Sequence, residues 1–260
     1  MIKLSKPACI SYLSGEKIAD LLHQYKTKGN SVWLRKGITK ELRKTSFNKC
    51  AYCEKKVNGN GSFMEVDHFL CKIKYDSLVI EWSNLVPSCK QCNTKKGQVD
   101  VNVYPIINPY RDEPSEHLVY SSLRIKGSTD KGKNTVELFG FNLRDMDARV
   151  NRLLILEKID QLLEDAIEAF NDYENSGKMN QRKIIKSRNI VRGLLSLCQS
   201  ESEYCAINAT LLLLNPNFYL IRTHLTSESF WDTEMEGLFV KAKYLSFPVK
   251  KDEYTLVKSA

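Results

Sequence analysis

The chain has 260 residues, 42% hydrophobic and 27% charged, which is enough apolar content to build a core and argues against a disordered polyelectrolyte. Its longest apolar run, around Ala209 to Leu214, falls well short of the eighteen or so residues a membrane span needs, and the N-terminal stretch lacks the apolar region of a secretion signal; the expected location is the cytoplasm, with no membrane association. The net charge is +8, and the excess is local: residues 1–100 carry 18 Lys+Arg against 9 Asp+Glu, the remaining 160 carry 21 against 22. Such a surface suits a polyanion such as DNA, although a basic face also serves solubility alone.

In chain order, "EKIADLLHQYKTK" at 16–28 sets Ile18, Leu21, Leu22 and Tyr25 on one helical face and stops at Gly29-Asn30. A short helix is expected from Thr39 to Thr45, delivering the chain to Cys50-x-x-Cys53. Asn58-Gly59-Asn60-Gly61 is a turn signal, "FMEVDHF" alternates as a strand does, and "WSNLVPSCKQCNTKKG" reads as a loop entering a short helix. From Val101 to about Arg124, prolines, aromatics and β-branched residues predict irregular structure with short strands, and "GSTDKGKN" predicts a loop.

After Asn142 the pattern turns helical. Ile155, Ile159, Leu162, Leu163, Ala166, Ile167 and Phe170 recur at spacings of three and four, and "QRKIIKSRNIVRGLLSLC" and "SEYCAINATLLLLN" give two more helices, the last stopped by Pro216. The expected organisation is α+β: residues 1–140 as one domain and a mainly helical domain over 141–260. The basic run Arg182, Lys183, Lys186, Arg188 and Arg192 extends a nucleic-acid track or forms a solvated helix face.

Cys50, Cys53, Cys89 and Cys92 form two Cys-x-x-Cys pairs. In a reducing compartment this is the ligand spacing of a closed, structural Zn²⁺ site, in which each tight knuckle aims two thiolates at one tetrahedral ion; the alternative is a set of inert buried thiols. Cys9, Cys71, Cys198 and Cys205 read as small core residues, and His23, His117 and His224 as structural or surface residues.

Between the pairs lie Asp67-His68 and Asn84, and Asn93 follows the last cysteine. Hydrolysis of a phosphodiester needs a base that works near neutral pH, which histidine supplies, and a hard cation to offset charge on the phosphate. The sequence "EVDHF", "WSNL", "CNTKKG" within four cysteines resembles the HNH endonuclease family, of ββα-metal fold. That resemblance implies His68 as general base, Asp67 and Asn93 as protein ligands of a catalytic Mg²⁺ or Mn²⁺, and Asn84 as the residue that shapes the loop and holds His68. Asn93 stands where many members have histidine. Lys95 and Lys96 are expected to contact phosphate or be solvated, and Glu65 to lie beside the site or at an exposed strand position.

A looser likeness spans about residues 30–160. "GITKELRKTSFNKCAYCEKKV", "INPYRDEPSEHLVY" and "NTVELFGFNLRDMDARVNRLLILEKI" are similar to the PtuB-type HNH subunits of Septu and retron-associated bacterial antiphage defence systems. The likeness implies a DNA-cleaving effector working with an ABC-type ATPase partner, PtuA-like; the wide apolar helix faces of the helical region then serve either its own packing, the ordinary role of such stripes, or docking of that partner. The competing reading is a zinc-stapled nucleic-acid-binding or interaction subunit without chemistry.

Overall fold

A computed structural model describes residues 1–57, 63–143 and 148–250. The Asn58–Gly61 turn signal therefore lies outside the described residues. The chain divides into two compact units: Met1–His117 with Gly127–Gly140, and Leu118–Lys126 with the residues from Phe141 onward.

The first unit opens with α1 (Gly15–Lys28), closed by Gly29 at φ 64°, a left-handed cap that glycine adopts without cost. Helix α2 (Lys36–Thr45) starts three residues before its predicted first turn. Gly37 permits this start, because a Cβ there would lie 2.3 Å from the ring of Tyr12. Strand β1 (Met64–His68) follows, then β2 (Leu85–Cys89), α3 (Lys90–Lys96), α4 (Pro114–His117) and α5 (Asp130–Phe139).

Strand β2 corrects the expectation of a loop there. It pairs antiparallel with β1 in the register Met64↔Cys89, Val66↔Pro87, His68↔Leu85. All five of its residues are buried, so no alternation marks it, and Pro87 is tolerated because a two-stranded sheet has only edge strands. Helix α5 likewise replaces most of the loop expected at "GSTDKGKN", nucleated by Thr129, whose hydroxyl accepts the Gly132 N–H. The core of this unit gathers Leu21, Trp33, Ile38 and Leu42 against Val66, Val79, Ile80, Trp82 and Leu85. One face of β1 is thereby packed, and the ββα segment presents its other residues toward α3.

Among the described residues, the second unit contains β3 (Leu118–Ser121) and β4 (Arg124–Gly127), a two-stranded ribbon, and five helices: α6 (Ala148–Asn175), α7 (Gln181–Leu197), α8 (Cys205–Leu214), α9 (Pro216–Ser227) and α10 (Thr233–Leu245). Helix α6 runs along α7 and also packs on α8 and α9, while α10 lies on α8 and α7. Helix α8 is apolar nearly all round and is the central element, as its burial from Cys205 through Leu212 requires. The helices after Pro216 are absent from the periodicity reading, yet their starts carry ordinary signals: Asn215 caps α9 with Pro216 next, and Asp232 caps α10 through the Met235 N–H. No described helix is long and apolar enough to cross a membrane.

Three of the five basic residues of the α7 run are ion-paired at the surface, while Arg182 and Lys186 are exposed. Lys183 pairs with Asp172 at 2.5 Å, Arg188 with Asp232 at 2.6 Å and Arg192 with Glu234 at 2.9 Å. Cys198 and Cys205 are core residues as expected, whereas Cys9 is exposed.

Candidate metal centre and active site

The sulfur atoms of Cys50, Cys53, Cys89 and Cys92 all lie within 4.8 Å of one another, and Cys53 Sγ stands 3.8 Å from Cys89 Sγ. A tetrahedron with Zn–S bonds of about 2.3 Å has edges of about 3.8 Å, so the donor set fits Zn²⁺ in both chemistry and spacing. The first knuckle is a tight turn in which the Glu54 N–H reaches the Cys50 carbonyl; the second is the start of α3, where Cys89 Sγ accepts the Cys92 N–H. Ala51 donates to the Pro87 carbonyl and so ties the first knuckle to β2, the strand that ends in Cys89.

Hydrogen bonds among the thiols, those from Cys50 foremost, drive Cys89 strongly toward the thiolate and hold Cys53 and Cys92 well above the ordinary thiol range. Buried sulfurs that share protons in this way are poised to exchange them for a dication.

From this centre two side chains run to the Asp67 carboxylate. Tyr52, the residue between the knuckle cysteines, donates its hydroxyl to Asp67 Oδ2 at 2.5 Å and stacks on Phe139 of α5 at 4.3 Å. Lys96, at the end of α3 and fully buried, donates to Asp67 Oδ1 at 3.1 Å and to the His68 carbonyl at 2.6 Å. The expectation that Lys96 is solvated or meets phosphate is thus corrected: α3 turns it inward, one turn after Asn93, onto β1.

His68 is 6% exposed, with its ring edge-on to Trp33 at 4.8 Å and its Nε2 2.9 Å from the Val79 carbonyl. A carbonyl only accepts, so Nε2 carries the hydrogen and, in the neutral ring, Nδ1 carries the lone pair. Burial holds the imidazole pKa below its ordinary value, against the opposing pull of the Val79 hydrogen bond and of Asp67. Asn84 secures the loop that supplies Val79: its amide nitrogen donates to the Leu70 and Leu78 carbonyls at 3.1 and 3.2 Å, and its oxygen accepts the Leu70 N–H at 2.7 Å.

Asn93 donates its amide to Glu65 Oε2 at 2.7 Å, which leaves the amide oxygen as the atom it can offer a cation. Asp67, His68 and Asn93 line one cleft of about 270 Å³, together with Trp33, Val66, Cys71, Lys72 and Gln98. Asn84 stands apart, lining a neighbouring cleft on the far side of the loop it clamps. One carboxylate and one amide oxygen on a shared cleft suit a hard cation that draws its remaining ligands from water and phosphate. The two hydrogen bonds already on Asp67 are of the kind that orient a ligating carboxylate. Sequence reasoning missed Tyr52, Trp33 and the inward Lys96; of these only Tyr52, an aromatic held inside a metal knuckle, carried a local signal.

Two antiparallel strands, a following helix and a four-cysteine cluster around an Asp-His pair define an HNH endonuclease domain, and the HNH endonuclease family model matches residues 50–98. Over 247 residues the chain is 38% identical to the Septu protein PtuB of Bacillus thuringiensis, covering 94% of each. It is also 27% identical over 207 residues to the Septu protein PtuB of Bacillus mycoides, covering 64% of this chain and 67% of that one. The chain belongs to the Septu PtuB family. No solved structure matches it.

Proposed function

We propose that the protein is a divalent-cation-dependent endonuclease that hydrolyses DNA phosphodiester bonds as the effector of an intracellular antiphage complex, partnered by an ABC-type ATPase of the PtuA kind. The observation that carries the reading is the meeting of Asp67, His68 and Asn93 on one cleft beside a fitted four-sulfur centre. Asp67 and Asn93 would hold Mg²⁺ or Mn²⁺, which when bound supplies positive charge to the phosphate and the leaving oxygen.

The protein's own part begins at His68 Nδ1, which takes the proton from the attacking water. The Val79 carbonyl fixes the ring for this step through the opposite nitrogen. Because burial depresses the imidazole pKa, the base is free at neutral pH. Asn84 keeps the Val79 segment in place, and Glu65 turns the Asn93 amide so that its oxygen faces the cleft. The sulfur centre holds shape and takes no part in proton transfer. The first 100 residues, with their net positive charge, would provide sequence-independent attraction to the phosphate backbone.

The test is nicking of supercoiled plasmid in Mg²⁺ or Mn²⁺, with and without the ATPase and ATP, by the wild type and by His68→Ala. Cleavage by the former alone supports the reading. DNA binding with no cleavage in any of these mixtures overturns it in favour of a binding subunit.

A further inference from the structure

A nuclease cleft needs a group that seats the phosphate, and the charged residues around this one differ in how they are engaged. The Lys96 ammonium is spent on Asp67. Lys74, two residues beyond Lys72, is held by Asp100. Lys72 lines the cleft itself, is only half-buried, and has no carboxylate within ion-pair distance among the described residues. Its ammonium rests on the indole face of Trp33, 4.4 Å from the ring centroid.

Trp33 is a fixed platform, 7% exposed and braced edge-on by Tyr25 at 5.9 Å. The same indole packs against the His68 ring at 4.8 Å and 88°. One buried side chain therefore sets both the base and a cation with donors to spare. An aromatic face positions an ammonium without satisfying its three N–H groups, which a carboxylate would do.

We propose that Lys72, carried on the face of Trp33, is the residue that seats the scissile phosphate beside His68. The proposal rests on the nuclease reading of the cleft and adds the group that recognises its substrate's charge.

Its test uses binding as well as cleavage. In the full-length His68→Ala protein, anisotropy of a fluorescein-labelled short DNA duplex is measured from about 50 to 200 mM KCl, with and without Lys72→Met or Lys72→Arg. Loss of one phosphate contact should weaken binding and reduce the log–log salt slope by about 0.9 for Lys72→Met, while Lys72→Arg keeps the slope. With His68 intact, Lys72→Met should lower plasmid nicking by about 10²-fold, the scale for losing a donor aimed at developing charge, with zinc content and melting temperature unchanged. Equal affinity, slope and nicking in Lys72→Met and its parent would overturn the assignment. So would a loss matched in Lys72→Arg; if Met at this half-buried position perturbs folding, Lys72→Gln, which keeps a polar tip, takes its place and is read by the same criteria. Failure here is separable from failure of the nuclease reading, which the wild-type and His68→Ala nicking comparison decides by itself.

Discussion

The two units bury different kinds of polar group. In the first, Asp67, His68, Asn84 and Lys96 are all nearly sealed from solvent and bonded to one another or to neighbouring backbone. In the second, the buried polar side chains bond backbone instead, tying one element to another, as when Asn208 of α8 donates to the Leu197 and Glu203 carbonyls and Gln199 donates to the Leu238 carbonyl of α10. Its charges pair at the surface. The first unit carries buried charge and a four-sulfur cluster fit for a metal beside its apolar core; the second is stabilised by apolar packing of its helices.

Stripping zinc is the sharpest way to break that contrast. Prolonged chelation, or Cys89→Ser, should unfold the first unit, since structural zinc contributes roughly 10–16 kcal/mol in small modules. Limited proteolysis should then cut within residues 1–117, while the helical circular dichroism of the second unit persists. Next in size is Lys96→Met, which leaves the Asp67 carboxylate buried without its counter-ion. A loss of about 3–5 kcal/mol in denaturant unfolding of the first unit is expected, larger than any surface charge change could cause. In the second unit Leu163→Ala, at a fully buried α6 position, should cost about 2–5 kcal/mol through its cavity and leave zinc content untouched.

The pH profile sharpens the same comparison at the site. A base must be neutral to act, so log kcat/KM should rise with pH at about one decade per unit and then level off. Because burial depresses the His68 pKa, the inflection should lie below the ordinary histidine value of about 6.5. A rising limb centred above that value would contradict the buried setting. Smallest of all, Arg192→Met removes a surface pair of α7 and α10 and should shift stability by no more than about 1 kcal/mol.

What could be read in advance followed locality. The cysteine pairs are legible from their spacing, Asp67-His68 and Asn93 from a short motif that resembles a known family, and the long amphipathic stripe of α6 announces itself. Strand β2 was hidden because burial on both faces erases alternation and Pro87 counts against a strand. Lys96 and Lys72 look alike as text, two lysines beside a motif; only the end of α3 turning inward and the indole of Trp33 separate a sealed counter-ion from a cation at the mouth of a cleft. Trp33 itself is distant in sequence from everything it positions. The pairing of Lys183, Arg188 and Arg192 on α7 was hidden for the complementary reason, since their acidic partners come from α6, the segment before α10 and α10 itself.

The β3–β4 ribbon has a consequence for dissection of the molecule. Leu118–Lys126 belongs to the second unit although the chain then returns to the first, and Tyr120 exchanges backbone hydrogen bonds with Pro248 and Lys250, far along the polypeptide. Scission after Gly140 would strand those nine residues on the wrong fragment with an unpaired, adhesive edge. Neither piece is a clean module, and splitting the protein for study calls for excising or circularly rewiring that ribbon rather than truncating at one point.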